Sequence, residues 1–148
     1  MIIVELRGGL GNQLFQFARG YAQAKAHDVQ LRVDTRRMDR SEVGVTQRSY
    51  ELDGLGIELE EASASDLAPY DWALYRAESR VFFAAATRLS GLTKHPIVVE
   101  RTFSVGAPAH AGKPESYLIG YWQSPMYFDP VSPQLRRLLT NRQDFDSE

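Results

Sequence analysis

The first 34 residues combine two hydrophobic patterns that are separated by a glycine-rich turn. Residues 2–6 form a short apolar run that stops at Gly8, which predicts a buried strand. From Asn12 onward apolar residues recur every three or four positions, as in an amphipathic helix, and residues 29–33 then alternate apolar and polar side chains up to Asp34. The order strand, helix, strand predicts a parallel pair of strands joined by a right-handed crossover.

The predicted helix has two chemically different sides. Its apolar side carries Leu14, Phe15, Ala18, Tyr21 and Ala22. Its opposite side carries Gln13, Gln16, Arg19, Gln23 and His27. Gly20 is the weak point of this helix, because glycine has a low helix propensity.

Helices and strands also alternate along the rest of the chain. The predicted elements are a helix that starts near Ser65, Asp66 and Pro69 and continues over 72–89, strands at 97–100 and 117–122, a helix over 133–139 capped by Ser132, and loops at 36–48 and 106–114. This order predicts an α/β fold built on a parallel sheet. We expect one domain over residues 1–140, followed by a polar, frayed tail at 141–148.

Composition narrows the class of protein. The chain has 148 residues, of which 43% are apolar and 24% charged, the balance of one soluble globular domain. Its net charge of -2, without a long basic run, argues against nucleic acid as a partner. The absence of cysteine excludes a disulfide scaffold, a thiolate nucleophile and cysteine-ligated metals. The three histidines, His27, His95 and His110, are too scattered for a metal-binding tract.

The hydrophobic pattern also bears on location. No apolar run approaches the roughly 20 residues that span a bilayer. The first residues lack the charged region and the cleavage site of a secretory signal. We therefore expect a cytoplasmic protein whose membrane contact is at most peripheral, at the inner face of a membrane.

The glycine-rich turn is the first candidate for chemistry. Glycines let backbone N–H groups approach a ligand, and a helix start supplies free donors and a positive dipole end, which together suit a phosphate. Gly9-x-Gly11, with Leu14 in place of a third glycine and Asp34 ending the next strand, is an imperfect NAD(P)-type dinucleotide fingerprint. The alternative is an ordinary tight turn in which Asn12 caps the helix.

Longer motifs carry a resemblance. Residues 8–18 read GGLGNQLFQFA and resemble the N-terminal signature of the α-1,2-fucosyltransferases, glycosyltransferase family 11. Two further stretches agree in type and order: Asp34 followed by YELD at 50–53, and YLIGYWQS at 117–124 followed by Tyr127 and Phe128. The resemblance therefore covers nearly the whole chain.

The resemblance implies a reaction and an architecture. It implies inverting, metal-independent transfer of L-fucose from GDP-fucose to the 2-hydroxyl of a galactoside or glycan acceptor, with GDP-fucose as donor substrate and no cofactor. The fold it implies is a Rossmann-like parallel sheet with flanking helices, the N-terminal half of a GT-B-like glycosyltransferase.

The resemblance also implies roles for individual residues. The residues expected at the donor diphosphate are Gly8, Gly9, Leu10, Gly11, Asn12 and Gln13. The residues expected to face the acceptor in the cleft are Tyr121 and Trp122, as an aromatic face for a sugar ring, and Gln123 and Ser124, as polar contacts; the two aromatic residues are alternatively part of the core. The catalytic residue stays unassigned, with Asp34 and Glu5 considered as general bases.

The family pattern is incomplete in this chain. Family members carry a His-x-Arg-Arg-x-Asp motif in a C-terminal half that helps to hold GDP-fucose, and no histidine here has an arginine two positions later. We therefore expect an N-terminal part that is not active alone and that associates with a C-terminal half-domain or with itself. Asp144-x-Asp146 has the form of a metal-nucleotide motif, but it is expected to be a solvated acidic tail. A non-catalytic sugar- or nucleotide-binding module and an NAD(P)-type domain remain alternatives.

Overall fold

The computed structural model describes residues 1–38, 49–74, 80–100 and 112–140 of the chain. In this part of the chain, five parallel strands form one sheet in the order β3-β2-β1-β5-β4, flanked by helices in a Rossmann-like α/β fold. The strands are β1 (Ile2–Glu5), β2 (Leu31–Asp34), β3 (Glu60–Glu61), β4 (Ile97–Val99) and β5 (Ser116–Ile119). The helices are α1 (Leu10–His27), α2 (Ala64–Leu74), α3 (Arg80–Ser90) and α4 (Ser132–Thr140), with short 3₁₀ turns at Asp53–Leu55, Pro125–Tyr127 and Asp129–Val131.

Strand β1 lies at the centre of the sheet. It pairs with β2 on one side and with β5 on the other. Its residues are buried on both faces, which explains why the sequence shows a continuous apolar run rather than an alternation. Register places Glu5 opposite Asp34, so two carboxylates lie side by side where β1 and β2 end.

Helix α1 is buried on two sides. Its Phe17 and Ala22 pack in one hydrophobic cluster with Val4 of the sheet and with Trp122 and Leu135 of the C-terminal segment. The helix therefore lies between the sheet and residues 122–135, and its polar side is buried as well. The buried polar side chains are Gln13, Gln16, Arg19 and Gln23.

Gly20 marks the closest approach of α1 to the sheet. A Cβ at this position would lie 2.7 Å from Cδ1 of Leu31 and 3.4 Å from Cγ1 of Val4. Glycine weakens the helix locally, but it allows the backbone to pack directly on β1 and β2. The residue that lowers helix propensity is therefore required by packing.

Helices α2 and α3 cover the opposite face of the sheet. Leu67 and Tyr70 of α2 and Ala86 of α3 pack with Ile3 and Tyr117 of the central strands. The described part of the chain thus has three layers, with the sheet in the middle.

Helix α2 begins with a reciprocal pair of hydrogen bonds. The Asp66 N–H donates to Ser63 Oγ at 3.3 Å, and the Ser63 N–H donates to Asp66 Oδ2 at 2.8 Å. This is a capping box, with Asp66 in the role usually taken by glutamate. The helix start predicted near Ser65 is confirmed, with Ser63 as the residue whose side chain caps it.

Asn12, the cap in the alternative interpretation of the turn, and Ser132, the predicted cap of the last helix, are not caps in the structure. Gly9 precedes the first residue of α1, so Asn12 lies inside the first turn and does not cap the helix. Ser132 has helical dihedral angles, and its hydroxyl donates to the Phe128 carbonyl at 3.4 Å. It does not cap α4, because the 3₁₀ turn Asp129–Val131 runs directly into this helix.

Other predicted elements agree with the structure only in part. The strands predicted at 2–6, 29–33, 97–100 and 117–122 are present with shifted or shorter bounds. A single helix is predicted over 72–89, and the structure describes helices on both sides of residues 75–79. Residues 39–48, 75–79, 101–111 and 141–148 lie outside the described residues, and so do most of the predicted loops, His110 and Asp144-x-Asp146. Strand β3 has no counterpart among the predicted elements.

Candidate functional site

The carboxyl ends of the parallel strands meet at one edge of the sheet. We call this the carboxyl edge; it comprises the residues that directly follow β1, β2, β4 and β5. In open α/β sheets ligands bind outside this edge. Because β1 and β5 are neighbours, the loop that starts at Arg7 and the loop that starts at Gly120 leave the sheet side by side.

Gln16 of α1 joins these two loops. The Arg7 N–H donates to Gln16 Oε1 at 3.0 Å. Gln16 Nε2 donates to the carbonyls of Arg7 at 3.3 Å and of Gly120 at 3.2 Å. The side chain is fully buried, so it has no water to replace these partners. Gln16 therefore sets the spacing of the two loops, a role that the sequence analysis did not assign to it.

The two stretches predicted to form the site are in contact. Gln123 Nε2 donates to Asn12 Oδ1 at 2.7 Å, across 111 residues of sequence. Asn12 also packs against the loop, since a Cβ at Gly8 would lie 2.5 Å from Asn12 Nδ2. Gly8 has φ +76°, a conformation that glycine adopts without strain. The glycine-rich turn and residues 121–124 thus lie together at the carboxyl edge.

The start of α1 is partly occupied by the chain itself. The Leu10 N–H donates to the Glu51 carboxylate at 3.1 Å. The Glu51 N–H donates to Gln13 Oε1 at 3.0 Å, and Gln13 Nε2 donates to the carbonyls of Gly8 and Ser49, each at 2.9 Å. Residues 49–51 are therefore held against the first turn of the helix.

This arrangement changes which amides are open to a ligand. The N–H groups of Asn12 and Gln13 donate to the Gly9 carbonyl at 2.9 and 3.1 Å, within the helix start. Among the described residues, the amides of Gly8, Gly9 and Gly11 have no acceptor. Of the six residues predicted at the diphosphate, these three have amides without a partner on the protein.

The loop after β5 is built around Glu100. Its carboxylate accepts the N–H groups of Tyr121 and Trp122, both at 2.8 Å. A Cβ at Gly120 would lie 2.5 Å from Cβ of Glu100, so only glycine fits between this side chain and the loop. Trp122 has φ +56°, which turns the chain inward at this point.

The turn separates the two predicted aromatic residues. Trp122 is 3% exposed and packs edge-on against Tyr127, with ring centroids 5.1 Å apart. It belongs to the core, so the structure does not place its ring as a sugar platform. Tyr121 is 39% exposed at the carboxyl edge. An aromatic face for a ligand can therefore come from Tyr121.

The two carboxylates considered as general bases are enclosed in a polar network. The Tyr117 hydroxyl donates to Asp34 at 2.7 Å and lies 3.4 Å from Glu5 Oε2. Arg36 binds Asp34 through Nε and Nη2 at 2.8 to 3.1 Å, and Arg7 forms an ion pair with Glu5. Both oxygen atoms of Asp34 and Oε1 of Glu5 therefore have donors on the protein, and Oε2 of Glu5 faces the hydroxyl that Asp34 already uses.

The electrostatics of Asp34 follow from this enclosure. Burial raises the pKa of Asp34, but hydrogen bonds from Arg36 and Tyr117 outweigh burial and hold the pKa below its ordinary value. Burial, with the charges of Glu5 and Asp34, raises the pKa of Tyr117. Asp34 is thus an ionised acceptor and Tyr117 a protonated donor at neutral pH. Asp34 is 3% exposed, so it is not placed to take a proton from an acceptor hydroxyl.

The described ranges of the chain, 1–38, 49–74, 80–100 and 112–140, lack two features. No three His, Cys, Asp or Glu residues in these ranges form a group that could hold a metal ion. None of the helices described is both long and apolar enough to cross a membrane.

Comparisons with known proteins give a partial similarity. Over 36 residues, 24% of this chain, the sequence is 44% identical to an alpha-1,2-colitosyltransferase from Escherichia coli. Those residues are 12% of that protein, so the similarity spans a small part of its length. No protein-family model matches the chain, and no solved structure matches it. The similarity supports a glycosyltransferase-type protein and no finer class.

Proposed function

We propose that this chain is a nucleotide-sugar-binding domain of a glycosyltransferase of the α-1,2-fucosyltransferase type. The whole protein would transfer L-fucose from GDP-fucose to the 2-hydroxyl of a galactoside, with inversion and without a metal. One observation carries the proposal: the two stretches of the family resemblance, 8–18 and 117–124, meet at the carboxyl edge through Gln16 and the Asn12–Gln123 hydrogen bond. The partial similarity to an alpha-1,2-colitosyltransferase supports the same class of reaction.

The geometry suggests how this domain contributes. A leaving diphosphate carries negative charge, which preorganised N–H donors stabilise. The open amides of Gly9 and Gly11 are such donors. The exposed ring of Tyr121 offers an apolar face for a sugar, and Gln123 offers an amide for its hydroxyl groups. We assign this domain the tasks of binding and orienting the substrates.

The described residues do not supply every group that the reaction needs. Inverting transfer requires a base near the acceptor hydroxyl. Glu5 and Asp34 are buried and paired, and neither is open to a substrate. We therefore propose that this domain forms one wall of a shared site, and that a C-terminal half-domain or a second copy of the chain completes it.

The same observation favours a second candidate function, a sugar- or nucleotide-binding module without catalysis. The NAD(P)-type alternative has less support. In that fingerprint the acidic residue after β2 accepts a hydrogen bond from a ribose hydroxyl. Here Arg36 and Tyr117 already use both oxygen atoms of Asp34.

A matched pair of glycine substitutions tests the proposal. An added Cβ meets nothing within 4 Å at Gly11 or at Gly54, so alanine fits at both positions. If a diphosphate lies against the Gly11 amide, the methyl group of Gly11→Ala occupies the space of the diphosphate and displaces it. GDP-fucose binding then weakens by about tenfold, as expected for loss of a charge-assisted hydrogen bond. Gly54→Ala leaves binding unchanged. Isothermal titration calorimetry with GDP-fucose, and with NAD as comparison, gives the affinities.

The outcomes separate the candidate functions. Binding of GDP-fucose with the predicted Gly11 effect supports the proposal, and equal binding by both variants contradicts the role of the loop. A transfer assay with a lactose-type acceptor then distinguishes the two favoured candidates. Product formed only after mixing with a separately expressed C-terminal half-domain supports the transferase, and absence of product from the folded mixture supports the binding module.

A further inference from the structure

Two arginines at the carboxyl edge differ in how many of their donors are used. Arg36 directs Nε and Nη2 to Asp34, and its Nη1 lies 3.5 Å from Asp71. All three nitrogen atoms of its guanidinium thus have a carboxylate partner. Arg7 pairs with Glu5 through Nη2, and its buried Nε has no hydrogen-bond partner. The buried Nε cannot reach a ligand, but a guanidinium has five N–H donors, so Arg7 keeps the donors of Nη1 for a ligand.

Arg7 is also held in a defined position. Gln16 fixes the backbone of Arg7 by binding its N–H and its carbonyl, and the ion pair with Glu5 holds the side chain. The guanidinium carbon lies 5.7 Å from the ring centroid of Tyr121, the exposed aromatic residue of the edge. The side chain is 26% exposed, which leaves a charged group fixed by its neighbours and accessible from outside. Little side-chain entropy remains to be lost when Arg7 binds a ligand.

The other source of positive potential at this edge is already compensated. A helix N-terminus attracts anions through its free N–H groups and its dipole. At the start of α1 the Glu51 carboxylate accepts the Leu10 N–H, so a negative charge of the chain itself lies there. An incoming anion would meet this carboxylate and gain little from the helix dipole, so the open amides of Gly9 and Gly11 need a positive charge beside them.

We infer that Arg7 supplies the positive charge that binds the anionic group of the ligand at the carboxyl edge, beside the open amides of Gly9 and Gly11 and without help from the dipole of α1. The ligand group is a phosphate oxygen of a nucleoside-diphosphate sugar, bound through the free donors of the guanidinium. The inference rests on the proposed function, because that function supplies a ligand with a diphosphate. Tyr121 would hold the guanidinium from one side while the phosphate approaches from another.

A carboxylate of an acidic sugar shares the chemistry that a guanidinium recognises. The probes therefore are inorganic pyrophosphate and glucuronate, each titrated into the full chain and followed by calorimetry. Pyrophosphate binding without glucuronate binding identifies the phosphate source. Tighter binding of glucuronate contradicts the phosphate assignment.

The variants are chosen so that loss of folding is not mistaken for loss of binding. Arg7→Gln alone leaves Glu5 buried without its ion pair, so the double variant Glu5→Gln/Arg7→Gln removes both charges together. Arg7→Lys keeps the charge and removes the planar fork. Arg136→Gln, on the exposed side of α4, is the matched control for loss of one positive charge. Circular dichroism melting confirms that each variant is folded.

We expect the double variant to weaken pyrophosphate binding by about tenfold or more, as for loss of a charge-assisted hydrogen bond. Arg7→Lys weakens it to an intermediate degree, and Arg136→Gln leaves it unchanged. Glu51→Gln changes the affinity for pyrophosphate by less than about threefold, because salt screens the electrostatic effect of this charge. Unchanged binding in the folded double variant, a gain of about tenfold or more in Glu51→Gln, or no pyrophosphate binding by the wild type would overturn the inference.

The same experiment keeps the two proposals apart. Wild-type binding of GDP-fucose that the double variant retains contradicts the role of Arg7 and leaves the proposed function standing. Arg7-dependent binding of pyrophosphate without any binding of GDP-fucose contradicts the proposed function and leaves the anion site standing.

Discussion

Two neighbouring regions of the carboxyl edge differ in whether their polar groups have partners on the protein. Where β1 and β2 end, the buried carboxylates of Glu5 and Asp34 form a closed network with Tyr117 and Arg36, and Glu5 also forms an ion pair with Arg7. Where β1 and β5 end, residues 7–13 and 120–124 form a loop pair that keeps open amides, free guanidinium donors and an exposed tyrosine. A charged group at a strand end is thus not by itself a sign of a site. Unused hydrogen-bonding capacity distinguishes the two regions.

The largest effect on stability is expected from substitution of Gln16, the residue that couples the two loops of the loop pair. Gln16→Ala removes three hydrogen bonds and leaves backbone groups of Arg7 and Gly120 unpaired in the interior. Unfolding free energy should fall by about 3 to 4 kcal/mol, since each lost bond costs about 1 kcal/mol or more. Urea denaturation measures the change, with the exposed Gln30→Ala as control. A loss no larger than that of the control would show that the loops hold together without Gln16.

A smaller effect is expected in the closed network. Asp34→Asn keeps an acceptor for Tyr117 but removes the charge that binds Arg36. Because Arg36 is partly exposed, the expected loss of stability is about 2 kcal/mol at neutral pH. GDP-fucose affinity should stay within about twofold, since the network does not face the ligand. A fall in GDP-fucose affinity of clearly more than about twofold in the folded variant would contradict the separation of the two regions.

The pH dependence of stability sharpens this prediction. The folded state holds the pKa of Asp34 below the value of about 3.9 in an unfolded chain. The unfolded chain therefore takes up the proton first as pH falls, so this contribution is present above about pH 4 and is lost as pH falls through the folded-state pKa. Asp34→Asn should flatten the acid limb of the stability curve. The exposed Glu58→Gln is the control and should leave that limb unchanged.

The smallest effect on stability is expected at the surface of the loop pair. Gln123→Ala removes an exposed hydrogen bond to Asn12, so the unfolding free energy should change by about 0.5 kcal/mol or less. GDP-fucose affinity should fall by about threefold to tenfold, because the amide is proposed to contact the ligand. Thermal melting and calorimetry give the two values. A large loss of stability with unchanged affinity would reverse the roles assigned to the loop pair and the network.

The spacing of apolar residues predicted those helices and strands whose own sequence shows a clear period. Strand β1, helix α1 and strand β2 follow from the apolar spacing of the first 34 residues, because each is long enough to show its period. Strand β3 has only two exposed glutamates and no apolar alternation, so no pattern marked it. The all-parallel order of the sheet follows from the alternation of strands with helices and loops, but its register does not.

The sequence predicted which residues belong to the candidate site, but not how they contact one another. The glycine-rich turn and residues 121–124 were recognised from motifs, and their contact depends on β1 pairing with β5 across more than 110 residues. The buried polar side of α1 looked like an ordinary polar face. Only the folded chain shows that distant segments cover it, with Ser49 at Gln13, Lys113 at Gln23 and Trp122 at Arg19. Glu51 on the start of α1 and Glu100 under the loop after β5 also depend on distant segments. No local rule distinguishes such carboxylates from surface charges.

The most direct test of the central claim is to map GDP-fucose onto the chain by amide chemical-shift perturbation in ¹H–¹⁵N NMR spectra. The claim that the loop pair is the ligand site predicts shifts at Gly9, Gly11 and Tyr121, with little change in β3 and α3. Shifts concentrated at the closed network, or spread over α3 and α4 with none in the loop pair, would contradict it.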